Sequence, residues 1–168
     1  MTQHLVLTVI GDDRLGLVEA VSNVVAEHQG NWGESRMAHL ADKFAGIVTV
    51  AVPKENEEAL ISALNNLSGM GLKVSVERAQ ARRHEGETLV LSVMGNDRTG
   101  IVRQVSQVLN QLGASVLDLS SFCEPAPMSS EMLFNAEIEI ALPQGTSLET
   151  LERAIESISS DLVVEVVE

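Results

Sequence analysis

The sequence predicts an α+β chain made of two tandem copies of one βαββαβ unit, each an antiparallel sheet with both helices on one face. Three observations carry this reading. The chain has 168 residues, 45% of them apolar, enough for two small cores. It also repeats itself: Leu5–Val25 lies over Leu89–Leu109 at an offset of 84, and 12 of the 21 positions are identical. Within each copy, apolar residues recur alternately at the period of a strand and of a helix, in the same order.

His4–Ile10 is apolar and rich in β-branched residues, as a central strand is. Gly11 and Gly16 bracket a turn. Leu17, Val18, Val21, Val24, Val25 and His28 then form one helical stripe, with Gly30 as its expected C-cap. Strands are expected at Asn31–Ala41 and Ala45–Val52 around an Asp42–Lys43 turn, and Pro53 stops the second. Leu60, Ala63, Leu64 and Leu67 make a second helical stripe, closed by Gly69 and Gly71. Leu72, Val74 and Val76 alternate with polar residues in a strand that has one wet face. The second copy repeats the order, with helices expected near 100–112 and 147–160. Their stripes include Ile101, Val105, Val108 and Leu112, then Leu148, Leu151, Ile155 and Ile158. Strand, helix, strand, strand, helix, strand is the split βαβ, ferredoxin-like arrangement, and right-handed crossovers put both helices on one face of the sheet. The polar stretch Arg78–Glu87 separates the copies, giving domains at 1–80 and 88–168 with a linker at 79–87. The helix-free face differs between copies. Leu133–Leu142 sets Phe134, Ala136, Ile138 and Ile140 against Asn135, Glu137 and Glu139, a wet outer face. Neither Ile47, Thr49, Ala51 nor Val48, Val50, Val52 is strongly polar, so the first copy's open face is expected to pack against something.

Composition excludes several classes. Net charge is −13, and the aromatics are Trp32, Phe44, Phe122 and Phe134 alone. A nucleic acid would meet repulsion and few stacking platforms, so no direct nucleic-acid binding is expected. The acidity is concentrated at −11 in residues 85–168, against −2 in residues 1–84. A solvated surface explains it, and a basic partner is the sharper alternative. Cys123, the single cysteine, allows no internal disulfide or Cys-rich zinc site. His4, His28, His39 and His84 lack ligand spacing, so neither metal nor cofactor is expected. No apolar run approaches the roughly 20 residues of a membrane span. Met1–Leu5 has no basic n-region, so a cytoplasmic location is expected.

The chemistry concentrates in two matching turns, Gly11, Asp12, Asp13, Arg14, Leu15, Gly16 and Gly95, Asn96, Asp97, Arg98, Thr99, Gly100, each between first strand and first helix. Two readings stand side by side. In one, Asp13 and Asp97 cap helices and Arg14 and Arg98 make surface pairs. In the other, glycine lets a ligand approach the backbone and helix-start amides hold a carboxylate. Asp12 or Asn96 then accepts an ammonium group, so the turn suits a small amino acid.

Two such units, each opening strand–Gly-x-Asp-Arg-x-Gly-[Leu/Ile]-Val–helix, resemble tandem ACT domains over nearly the whole chain. The segments GDDRLGLV, GNWGESRMAHL and GNDRTGIV and the Glu124–Pro125 hairpin are most similar to the glycine cleavage system transcriptional repressor family. Leu15 and Thr99 depart from it, standing where many related turns have proline. The resemblance implies a non-enzymatic regulator that senses a small amino acid, with glycine suggested by the family. It implies repression through a DNA-binding activator protein, with a homodimer among the possible assemblies. The alternative is a regulatory subunit acting in trans on an amino-acid or folate enzyme. A small ferredoxin-like enzyme comes last, because no acid–base or nucleophile constellation is visible.

One insertion separates the copies further. Gly30 to Pro53 spans 23 positions and Gly113 to Pro143 spans 30. The seven extra residues fall around Cys123–Glu131, an exposed loop stiffened by Pro125 and Pro127. Glu124 beside Cys123 is expected to disfavour the thiolate.

Overall fold

The computed structural model describes residues 1–12, 15–80 and 86–167. They form two compact units, 1–82 and 83–168. The first contains β1 (Thr2–Asp12), α1 (Leu17–Glu27), β2 (Asn31–Leu40), β3 (Lys43–Pro53), α2 (Glu57–Asn65) and β4 (Leu72–Arg78). The second contains β5 (Glu87–Asn96), α3 (Ile101–Gln111), β6 (Ser115–Pro125), β7 (Met132–Leu142), α4 (Leu148–Glu156) and β8 (Val163–Val167). The sheets run β2-β3-β1-β4 and β6-β7-β5-β8, every pairing antiparallel. This is the ferredoxin-like order, twice. The expected linker overlaps residues 81–85, which lie outside the described residues, and β5 begins at its last residue, Glu87.

Alternation sets each core. Leu5, Leu7 and Val9 of β1 and Val48, Val50 and Val52 of β3 point to the helices and are buried. Leu17, Val21 and Val25 of α1 and Leu60 and Leu64 of α2 meet them. In the second unit Leu91 and Val93 join Phe134, Ala136, Ile138 and Ile140 under Ile101, Val105, Leu109, Leu151 and Ile155. Each of these Val, Leu, Ile and Phe side chains contributes roughly 1.5–3 kcal/mol on full burial. On the opposite face of β3, Ile47 is 55% exposed.

Several boundaries differ from the sequence reading, among them one hairpin turn and two helix ends. The first hairpin turns at Ala41–Asp42 (φ 48° and 61°), one residue before the expected Asp42–Lys43, and Lys43 already pairs in β3. Two consecutive left-handed residues make the type I′ turn that matches strand twist, and alanine gives no sequence signal for it. Gly30 is not the left-handed residue that ends α1; Gln29 is, at φ 60°. The Gln29 amide donates to Ala26 O (3.0 Å) and the Gly30 amide to Val25 O (2.8 Å), a Schellman closure. The second unit closes α3 the same way with Gly113 (φ 72°), so Gly113 matches Gln29, not Gly30. Helix α4 ends at Glu156, short of the expected 160. Its N-cap is Ser147, whose Oγ accepts from the Thr150 amide (3.2 Å). At the start of α2, Glu57 is 5% exposed, and its Oε1 accepts from Arg78 Nε on β4 (2.9 Å).

Candidate functional site

Both turns are built by a strand that runs out beside glycine. Gly11 pairs with Phe44 on one side and Leu72 on the other. A Cβ on Gly11 would stand 2.8 Å from Gly71 O, and one on Gly95 would stand 2.5 Å from Leu162 Cδ2. Gly11 is therefore required by packing against backbone, whether or not a ligand approaches, while at Gly95 a side chain would have to displace the buried end of Leu162. Gly16 (φ 87°) and Gly100 (φ 85°) sit in the left-handed region directly before α1 and α3.

The cap reading fails for Asp97. The N-cap of α3 is Gly100, and among the described residues no side chain caps α3. The backbone between Asp97 and Ile101 places Asp97 too early; its amide donates to Met132 O (2.9 Å). The start of α3 thus keeps leading amides that no capping side chain among the described residues covers, the feature that suits an anion. Asp13 and Arg14 lie outside the described residues.

Around these turns the chain's own charges are already engaged. Asp12 Oδ1, at the end of β1, accepts from Lys43 Nζ on the paired strand β3, both side chains well exposed. Leu15 is fully exposed. In the second unit the Asn96 amide donates to Asp161 Oδ2 (2.7 Å), and Arg98 Nη1 lies 3.3 Å from Asp161 Oδ1. Arg98 Nη2 also donates to Gln104 Oε1 (3.2 Å), and the Ser159 hydroxyl donates to Asp161 Oδ1. The Ser159 hydroxyl, the Asn96 amide and the Arg98 guanidinium hold the Asp161 carboxyl down at about 2. Thr99 is exposed at the crest. So Gly95, Asn96 and Arg98 converge on one carboxylate, while Asp97 and Thr99 face elsewhere.

Asp161, Ser159 and Lys43 were not singled out by sequence reasoning. A signal exists: Leu72 lies beside Gly11 and Leu162 beside Gly95, which sets Asp161 on Gly71 and Ser159 on Gly69. Cys123 is exposed, and its thiol is pushed up by partial desolvation and then by the Asp97 carboxylate, which also hydrogen-bonds it. Asp97 thus takes the role expected of Glu124, whose Oε1 instead accepts from Asn135 Nδ2 (3.3 Å). Among the described residues no three His, Cys, Asp or Glu side chains converge as a metal site would need. No helix among them is long and apolar enough to cross a membrane.

The ACT domain model matches residues 3–77 and again 87–167. This chain belongs to the ACT-domain family. One ACT unit is also 34% identical, over 82 residues, to a UPF0237 protein of Methanocaldococcus jannaschii, covering 47% of this chain and 82% of that protein. An unknown protein from Galdieria sulphuraria is similar over 100% of both chains, at 32% identity and a TM-score of 0.81. A candidate glycine cleavage system transcriptional repressor matches 100% of this chain and 99% of its own at a TM-score of 0.71. Its identity is 20%, so that likeness is one of fold, here the tandem ACT arrangement.

Proposed function

We propose that this tandem ACT protein is a non-catalytic regulator that binds a small amino acid at one or both of its strand–helix turns. We further propose that glycine is the amino acid, and that the chain represses glycine cleavage genes through a DNA-binding activator protein. The observation that carries the reading is the Asp161 carboxylate on the Asn96 amide: a turn of this build accepts a carboxylate at its backbone and an Arg side chain. An α-amino acid offers the same group. The net charge of −13 supports a protein intermediary, because a phosphate backbone would be repelled. The shared fold with the candidate repressor agrees with this reading. ACT matches in both halves agree equally with a regulatory subunit acting in trans on an amino-acid or folate enzyme.

Affinity capture of the full chain with and without glycine separates the two. Recovery of a DNA-binding activator, with glycine changing the yield, is the expected result. Recovery of a metabolic enzyme instead transfers the reading to the subunit in trans.

A further inference from the structure

The two turns are not equivalent, and the difference lies in the segment before the last strand of each unit. Leu72 and Leu162 are both buried beside the first glycine of their turn. The residues before them differ. In the second unit they are Ser159 and Asp161, in the first Gly69 and Gly71. Gly71 has φ 80°, and a Cβ built there meets nothing within 4 Å. The first unit thus carries no side chain at the two positions from which the second sends a carboxylate and its supporting hydroxyl.

We propose that the second turn is a carboxylate-binding site whose resident ligand is the chain's own Asp161, so that free amino acids are shut out of it. Asp161 already takes the Asn96 amide through Oδ2 and the Arg98 guanidinium through Oδ1, and its side chain is only 24% exposed. These are the contacts an incoming carboxylate would need. Ser159 fixes the Oδ1 oxygen, and Gln104 holds the other Arg98 nitrogen, so the arrangement is preorganised from both sides. A tethered group competes at an effective concentration of about millimolar or above, which free monocarboxylates of weak affinity do not overcome. Gly71 supplies no such group to the first turn.

The proposal rests on reading these turns as carboxylate-binding, and its test keeps the two apart. Sodium acetate is the probe, and the Asn96 backbone amide of the isotopically labelled full chain is the reporter in an NMR titration. In the unchanged protein the Asn96 amide should show no saturable shift with acetate. Asp161→Gly, which copies Gly71, should give a saturable shift with affinity higher by about tenfold or more. Asp161→Asn keeps the side-chain shape and removes the charge, and it should fall between them; it carries the test should Asp161→Gly fail to fold. A saturable Asn96 shift in the unchanged chain overturns the proposal, as does a folded variant whose Asn96 amide gains no response. Absence of any amino-acid binding to the unchanged chain counts instead against the sensing function, and leaves the acetate result to decide this one.

Discussion

Gly95 and Asp161 show how one residue can be required for two reasons that only packing separates. Gly95 reads as a site for close ligand approach, yet a side chain there meets Leu162 at 2.5 Å. Gly95→Val is therefore expected to cost about 1–3 kcal/mol of stability with no ligand present, seen in urea unfolding of the full chain. The Asp161 carboxyl sits at about 2 against an ordinary 3.8. A lowered folded-state value means the contact stabilises fully above the ordinary value and is lost as pH falls through the lowered one. Urea midpoints of the unchanged chain and Asp161→Asn should thus differ at pH 6 and converge between about pH 4 and 2. Asp97 caps nothing, so Asp97→Ala should change stability by less than about 0.5 kcal/mol. It should also lower the Cys123 thiol and speed its alkylation at neutral pH, because the carboxylate beside it is gone.

At the scale of elements, the helix stripes were legible because 3.6-residue spacing shows in Leu17, Val21 and Val25 as plainly as in Ile101, Val105 and Leu109. The strand face was legible in β7 through alternation of Phe134, Ala136, Ile138 and Ile140 with polar residues, whereas β3, with neither face strongly polar, showed only that it was a strand. The ends were not legible. The closing residue of α1 is Gln29, which carries no glycine signal, and the turn after β2 uses Ala41. Backbone conformation there is imposed by the hydrogen bonds on either side of it. The two copies form a natural comparison, with Gln29 in the first standing where the second has Gly113. Gln29→Gly should remove left-handed strain and stabilise the first unit by about 1 kcal/mol, read as a raised urea midpoint. The pair between buried Glu57 and Arg78 ties α2 to β4. Arg78→Ala should cost about 1–3 kcal/mol, since Glu57 then loses its partner inside the fold.

For the whole molecule, the repeat gave the architecture and the charge directed attention toward a protein partner. What periodicity could not reveal was the asymmetry of the turns. It depends on Asp161, 66 positions beyond Gly95 in sequence, arriving beside it through β8. Nothing in the spacing of Gly95–Gly100 announces that meeting; only the sheet register does. We propose that each unit folds alone, because each has a complete set of strands and helices around its own core. The measurement that bears most directly on the account is calorimetric titration of the full chain with glycine and the other small amino acids. Saturable binding at millimolar concentration or below, with one site per chain because Asp161 fills the second turn, is the predicted result. No binding heat from any amino acid, under conditions where the protein is folded, contradicts it.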